Sequence, residues 1–265
     1  MSSINDRVVF CISKLKVIFS DQESTRTFQG TGFWIEHRGR PYIVTNRHNV
    51  DPNLKYEGAG YTFVSIQVEL RKWVQNSATQ ETRMFTIHEP TFFIDEDADC
   101  CLIDNPRYDE IESFHPICLP STAIADSSWF EGRARLMDRV FFIGYPLSPT
   151  GLKPWWDTGW GVPIAREASI ASLPFIEFEN PLVQTSTTVK ISDIILVSGH
   201  SFGGCSGSPV LHTAESFHLQ EKDSRIIGIM SGHLGDKDRH DRAVHGGLSF
   251  FTRSTAIWRL LNRVV

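Results

Sequence analysis

Three side chains in this 265-residue chain have the chemistry for nucleophilic catalysis, and they lie far apart along it. Ser206 stands in Gly203-Gly204-Cys205-Ser206-Gly207-Ser208-Pro209-Val210, a run of small residues directly before an apolar segment. A serine hydroxyl is a weak nucleophile until a base takes its proton and donors hold the oxyanion that forms. The glycines around it let the backbone turn its N–H groups toward a substrate carbonyl. The base candidate is His48, in Thr45-Asn46-Arg47-His48-Asn49-Val50, just after the apolar run Tyr42-Ile43-Val44. A catalytic imidazole needs a carboxylate to fix its tautomer and stabilise its charged form. Asp99 opens Asp99-Cys100-Cys101-Leu102-Ile103, and an acid entering an apolar strand needs a partner. Asp97 is the rival for that role; Asp95, Glu96 and Asp97 together read as solvated loop acids. Taken singly, a Gly-Ser turn and a histidine at a strand end have plainer readings as connections and surface.

The elements that must position these groups read as strands. Residues 62–70 alternate, with Val64, Ile66, Val68 and Leu70 on one face and Ser65, Gln67 and Glu69 on the other. Further strand candidates are 10–19, 33–35, 42–45, 84–87, 100–103, 139–143, 191–197, 209–211, 226–230 and 248–251. His37-Arg38-Gly39-Arg40-Pro41 marks a hairpin between two of them. Many short strands with turns between them predict an all-β barrel or sandwich. The one clear helix is C-terminal: Ser254-Thr255 are cap candidates, and Ile257, Leu260, Leu261 and Val264 share a face.

At 41% hydrophobic and 22% charged residues the composition is that of a soluble globular protein. A net charge of -5 and a pI of about 6.1 make nucleic acid and anionic membrane poor partners. The five cysteines lack a C-x-x-C pair; adjacent Cys100 and Cys101 would face opposite sides of a strand, so a disulfide frame and a zinc site are not expected. The N-terminal apolar run is broken by Ser13, Lys14 and Lys16, unlike a signal peptide, and no stretch reads as a membrane span. The expected location is cytoplasmic.

The motifs G-T-G-F-W-I, Y-I-V-T-N-R-H-N-V, D-C-C-L-I, G-C-S-G-S-P-V and I-I-G-I-M-S-G, followed by the C-terminal helix, occur in one order. In them the chain resembles the trypsin/chymotrypsin-like serine peptidases, in their compact bacterial intracellular form. The order His, Asp, Ser differs from that of an α/β-hydrolase, whose serine comes first in a G-x-S-x-G elbow. The resemblance implies two antiparallel six-stranded β-barrels with a C-terminal α-helix. Its bounds would be 8–120 for the N-terminal barrel, 121–135 for the linker, 136–252 for the C-terminal barrel and 253–265 for the helix. It implies His48 as general base, Asp99 as its orienting acid, Ser206 as nucleophile, and the N–H groups of Gly204 and Ser206 as the oxyanion hole. The function implied is a serine endopeptidase that cuts polypeptide substrates through an acyl-enzyme, without cofactor or metal. The alternatives are a peptidase fold used as a binding module, and a protease held inactive until a regulatory protein partner or another trigger opens it.

Cysteine nucleophiles of related viral proteases occupy the position of Ser206, so Cys205, one residue earlier, is expected to pack as a small residue. Secreted digestive relatives carry an aspartate at that position to pair with a new N-terminus. Cys205 cannot form that ion pair, so activation by such a cut is not expected. His200 falls near the position that is acidic in trypsin, so that residue gives no basis for an Arg or Lys preference. The pocket candidates are His200, Ser231, Gly232 and His233, with Gly246 or Gly247 on the far side. Two histidines could favour an acidic side chain, or could lie in loops outside the pocket. Residues 232–247 carry His233, His240, His245 and several acids mixed with Lys237, Arg239 and Arg242; the stretch reads as a solvated loop rather than a metal site. The tryptophans of 147–163 suggest a covering flap or a packed minicore.

Overall fold

The structure, a computed structural model, describes residues 8–21, 23–51, 54, 60–75, 77–104, 106–109, 113–148, 153–176, 178, 192–212, 224–237 and 243–264. Two β-sheets carry the fold. The N-terminal sheet holds β1 (Ile12–Ser20), β2 (Thr25–His37), β3 (Arg40–Thr45), β4 (Thr62–Val74), β5 (Ser77–His88), β6 (Thr91–Ile94), β7 (Cys101–Asp104), β8 (Arg107–Tyr108) and β9 (Leu119–Pro120). The order β7-β3-β2-β1-β4-β5 supplies six antiparallel strands, and β6, β8 and β9 are short additions. The second sheet closes as a six-stranded barrel in the order β10-β11-β12-β15-β14-β13. Its strands are β10 (Arg139–Gly144), β11 (Ile164–Ile170), β12 (Ile194–Ser198), β13 (Pro209–His212), β14 (Arg225–Lys237) and β15 (Ala243–Arg253). The all-β expectation holds. No helix among the described residues is long and apolar enough to cross a membrane.

Strand alternation assigns the core. In β2, β3 and β7, Trp34, Ile43, Cys101 and Ile103 enter the interior of the first sheet with Leu15, Ile66, Val68 and Leu70. Their neighbours Phe33, Ile35, Tyr42, Val44 and Leu102 face the other way. There they meet Ile143, Tyr145, Leu211, Ile226 and Ile229 of the second barrel. Both faces of these strands are therefore covered, which explains why residues 30–35 are buried without a break. Cys100 and Cys101 go to different cores, as their adjacency predicts.

Val64 departs from the expected face. It is 52% exposed, because a bulge sets Phe19 opposite Phe63 and Ile18 opposite Ser65. Val64 is the extra residue, and Phe63 packs inward in its place.

The segment between the sheets is not bare chain: it carries α1 (Ser127–Arg133), whose N-cap Asp126 accepts from Trp129 N–H at 2.9 Å. The C-terminal helix, α2 (Ser254–Leu261), buries Ile257, Leu260 and Leu261 against both units, each worth about 1.5–3 kcal/mol relative to exposure. Ser254 does not cap it; its hydroxyl donates to the Ala125 carbonyl at 2.6 Å, tying the helix to the connecting segment.

Asp95 is not a solvated loop acid. It is 1% exposed, and its carboxylate accepts from Arg259 Nε of α2 at 2.8 Å, while Arg259 Nη1 donates to Asp193, just before β12 of the second barrel. One guanidinium thus joins both units. Arg259→Ala leaves the buried Asp95 charge without that partner. The guanidinium is 39% exposed, so the expected loss is about 2 kcal/mol, less than for a fully buried pair. Chemical denaturation measures it, and an unchanged midpoint would contradict the role.

Candidate functional site

His48 sits in a single 3-10 turn, Arg47–Asn49, directly after β3. Strand β3 pairs antiparallel with β7, with Thr45 opposite Cys101. Carried two residues outward, that register sets Asp99 against Arg47, the residue before His48. The contact follows: Asp99 Oδ1 accepts from His48 N–H at 3.0 Å, and Asp99 Oδ2 lies 2.7 Å from His48 Nδ1. A carboxylate only accepts, so Nδ1 carries the proton and Nε2 is left with a lone pair. Both side chains are buried, at 6% and 4% exposure. Asn46 fixes the acid's backbone, its Nδ2 donating to Asp99 O and to Ser231 Oγ, both at 2.9 Å. Asp97 is exposed, and its carbonyl serves Ser192 instead.

Ser206 lies on the turn before β13. Its carbonyl accepts from Thr31 N–H at 2.8 Å and from Asn49 Nδ2 at 3.1 Å. Asn49 is the residue after His48, so the serine turn of the second barrel is seated on the histidine turn of the first sheet. Gly204 and Gly207 have φ of +88° and +92°, the left-handed region. A methyl group at Gly207 would overlap the Thr31 carbonyl oxygen, and one at Gly204 the Tyr145 carbonyl oxygen. The turn can approach β2 this closely only with glycine there.

Within the turn, Cys205, Gly207 and Ser208 N–H groups donate to Phe202, Met230 and Cys205 carbonyls. Among the described residues the N–H groups of Gly204 and Ser206 have no acceptor. Two bare donors beside a serine are what an oxyanion requires. Ser206 is half-buried, and Cys205 is 1% exposed inside the second barrel. Burial pushes its thiol up to about 11.

The pocket candidates lie on β14, which meets the serine turn where Gly207 N–H donates to Met230 O at 2.9 Å, and on the segment before that turn. Ser231 and Gly232 continue β14 past Met230, and Ser201 Oγ donates to Gly232 O at 3.1 Å. His200 and His233 are exposed and meet across His245 of β15, with ring centroids 4.4 and 4.5 Å from it. Residues 232–247 do not form the solvated loop expected: β14 and β15 run on as a long hairpin to Lys237 and Ala243, which brings His245 beside the two other histidines. His240 lies outside the described residues. The tryptophan stretch is split: Trp156 packs on Tyr145 and under Lys14, while Trp155, 41% exposed, packs edge-on against Phe202.

No family model matches the chain, and no curated protein matches it. Solved structures do. The active form of the Rv3671c protease from M. tuberculosis matches at a TM-score of 0.55, 15% identity, 98% of this chain and 83% of that one. The inactive form of the Rv3671c protease matches at 0.50, 14% identity, 98% of this chain and 92% of that one. The chain has the fold of these proteases, with two β-units and a C-terminal helix.

The burial of Cys205 has a direct consequence. At pH 8 its thiolate is scarce, so iodoacetamide should alkylate it at least about 100-fold more slowly in the folded protein than in urea. Equal rates, followed by mass spectrometry, would return it to the list of nucleophiles.

Proposed function

We propose that the chain is a serine endopeptidase that hydrolyses polypeptide substrates. The observation that carries this reading is the seating of the Ser206 turn, with its two bare N–H groups, on the turn that presents the buried His48–Asp99 pair. In this reading His48 Nε2 takes the Ser206 proton as Oγ attacks the scissile carbonyl. Asp99 holds the ring and stabilises the imidazolium without taking the proton itself. The N–H groups of Gly204 and Ser206 receive the oxyanion, each worth about 2.7–4 kcal/mol in the transition state. His48 then returns the proton to the leaving amine, and water repeats the cycle on the acyl-enzyme. No metal or cofactor enters.

One observation favours a restrained variant of this function. Trp155 rests on Phe202, and Leu147 N–H donates to Gly203 O at 2.7 Å, so these two residues touch the segment of the serine turn directly. A partner that displaced Leu147 would act on the site through Gly203.

A small fluorophosphonate should label wild-type protein on Ser206 and leave Ser206→Ala unlabelled. Ser206→Ala should lower kcat by about 10⁶ and Asp99→Asn by about 10⁴ on any substrate that is cut. Labelling elsewhere, or full turnover by Ser206→Ala, would refute the reading.

A further inference from the structure

The two N–H groups assigned to the oxyanion are held in different ways. A trans peptide is planar, so its N–H points opposite its own carbonyl, and fixing the carbonyl fixes the N–H. The Ser206 N–H shares a peptide with the Cys205 carbonyl, which accepts from Ser208 N–H at 3.0 Å inside the turn. The Gly204 N–H shares a peptide with the Gly203 carbonyl, which accepts from Leu147 N–H at 2.7 Å. That partner comes from outside the turn. Glycine on both sides frees this second peptide: Gly204 has a φ of +88°, and a methyl group at Gly203 would meet nothing within 4 Å. A half-turn of the peptide would put the Gly203 carbonyl oxygen where the oxyanion belongs. The bond from Leu147 opposes that rotation.

Leu147 is held in turn by a short ladder. Trp155 N–H donates to Pro146 O at 2.9 Å and Ser148 N–H to Lys153 O at 2.7 Å, so residues 146–148 are tied to 153–155. Past Trp156 the chain turns on Asp157, whose Oδ1 accepts from Gly159 N–H at 2.8 Å and Trp160 N–H at 2.9 Å. Val162 N–H closes the turn on Asp157 O at 3.2 Å.

The first sheet grips that turn. Arg71 of β4 donates from Nη2 to Trp160 O at 2.7 Å and to Gly161 O at 3.0 Å. The guanidinium is itself fixed, because Nη1 donates to the Thr79 carbonyl of β5 and the ring of Phe10 lies against it, 5.6 Å to the centroid. One planar fork thus reaches three carbonyls. Buried Tyr145 adds its hydroxyl, 3.3 Å from Gly161 O and 3.4 Å from Ile12 O. Trp156 packs edge-on against Tyr145, beneath Lys14 of β1.

We propose that Arg71 is a positioning residue for the oxyanion hole. It clamps the Trp160 and Gly161 carbonyls and so steadies the ladder of 146–148 on 153–155. Leu147 N–H then keeps Gly204 N–H turned toward the substrate carbonyl. One donor of the hole is built into the serine turn, and the other depends on contact between the two units. The effect on catalysis rests on the serine endopeptidase reading; the orientation of the Gly203–Gly204 peptide does not. Deleting one oxyanion donor costs about 10²–10³ in kcat. Arg71→Ala loosens the donor without deleting it, so kcat should fall by about 10- to 100-fold. The donor acts on the transition state, so KM should change little.

Two measurements on the full chain test this. First, kcat and KM are compared for wild type, Arg71→Ala and the control Lys72→Ala, whose lost side chain pairs with Glu81 instead. Only Arg71→Ala should show the fall in kcat at nearly constant KM. The second readout needs no activity. Gly203-Gly204 and Gly246-Gly247 are the Gly-Gly pairs of the sequence, so protein made with glycine isotopically labelled at its carbonyl carbon and its nitrogen gives one NMR signal for each. In Arg71→Ala the Gly204 signal should shift or split, while the Gly247 signal, from β15, reports an intact fold. Where Arg71→Ala fails to fold, Tyr145→Phe, which loses only the hydroxyl near Gly161, should move the Gly204 signal instead. An unmoved Gly204 signal in the folded variant, or an equal loss of kcat in Lys72→Ala, would overturn the proposal; fluorophosphonate labelling of Ser206 in the same preparations would then spare the protease. A shifted Gly204 signal in a protein that neither cuts peptides nor takes the label would overturn the protease and spare the role of Arg71.

Discussion

The carbonyl of Ser206 is the point on which the arrangement depends. It belongs to the second barrel, yet both of its hydrogen bonds, from Thr31 N–H and Asn49 Nδ2, come from the first sheet. Thr31 is held in turn: its hydroxyl donates to Gly204 O at 2.7 Å and accepts from Tyr145 N–H at 3.2 Å. Its carbonyl takes the Thr45 hydroxyl at 2.8 Å, and the Asn49 amide donates to that same hydroxyl oxygen at 2.9 Å. These bonds are buried or nearly so, where an unmade one costs about 1–3 kcal/mol. The two units therefore dock in one register or lose several bonds at once. That register brings the Ser206 turn to the His48 turn.

The larger packing serves the same end. A shared apolar layer, contributed by the outward faces of β2, β3, β7, β10 and β13, glues the units together without a preferred direction. Direction comes from polar ties: Arg259 between Asp95 and Asp193, Asn46 between Asp99 and Ser231, and Ser254 on Ala125. Asn46 is the most telling of these. It links the acid's backbone in the first sheet to β14 in the second, so the His48–Asp99 pair and the strand bearing His233 cannot move independently.

Much of this was legible in the letters, for identifiable reasons. Ser206, His48 and Asp99 sit where a polar residue ends or begins an apolar strand, and such residues stand out against their neighbours. The pairing of Asp99 with His48 follows from the antiparallel register of 42–45 against 101–104, a long-range pairing that no turn between the two strands announces. What stayed hidden has no local signature. Asp95 lies in an acidic run that looks solvated, and its partner Arg259 is a helix away. Val64 fits a perfect alternation that a bulge interrupts. His245 and Arg71 acquire meaning only when distant strands pack together; in sequence, His245 sits among the charged residues of a hairpin tip and Arg71 in an ordinary strand, far from Trp160 and Gly161. Local pattern reveals strand ends, whereas contacts assembled from several elements appear only with the fold.

The central claim is that Ser206 Oγ, His48 and the two bare N–H groups converge on one reacting atom. A high-resolution crystal structure of the fluorophosphonate adduct tests it most directly. The account predicts phosphorus bonded to Ser206 Oγ, the phosphoryl oxygen accepting from Gly204 and Ser206 N–H, and His48 Nε2 facing Oγ while Nδ1 stays on Asp99. A phosphoryl oxygen turned away from both N–H groups, or a His48 ring swung off Asp99 and away from the serine, would contradict it.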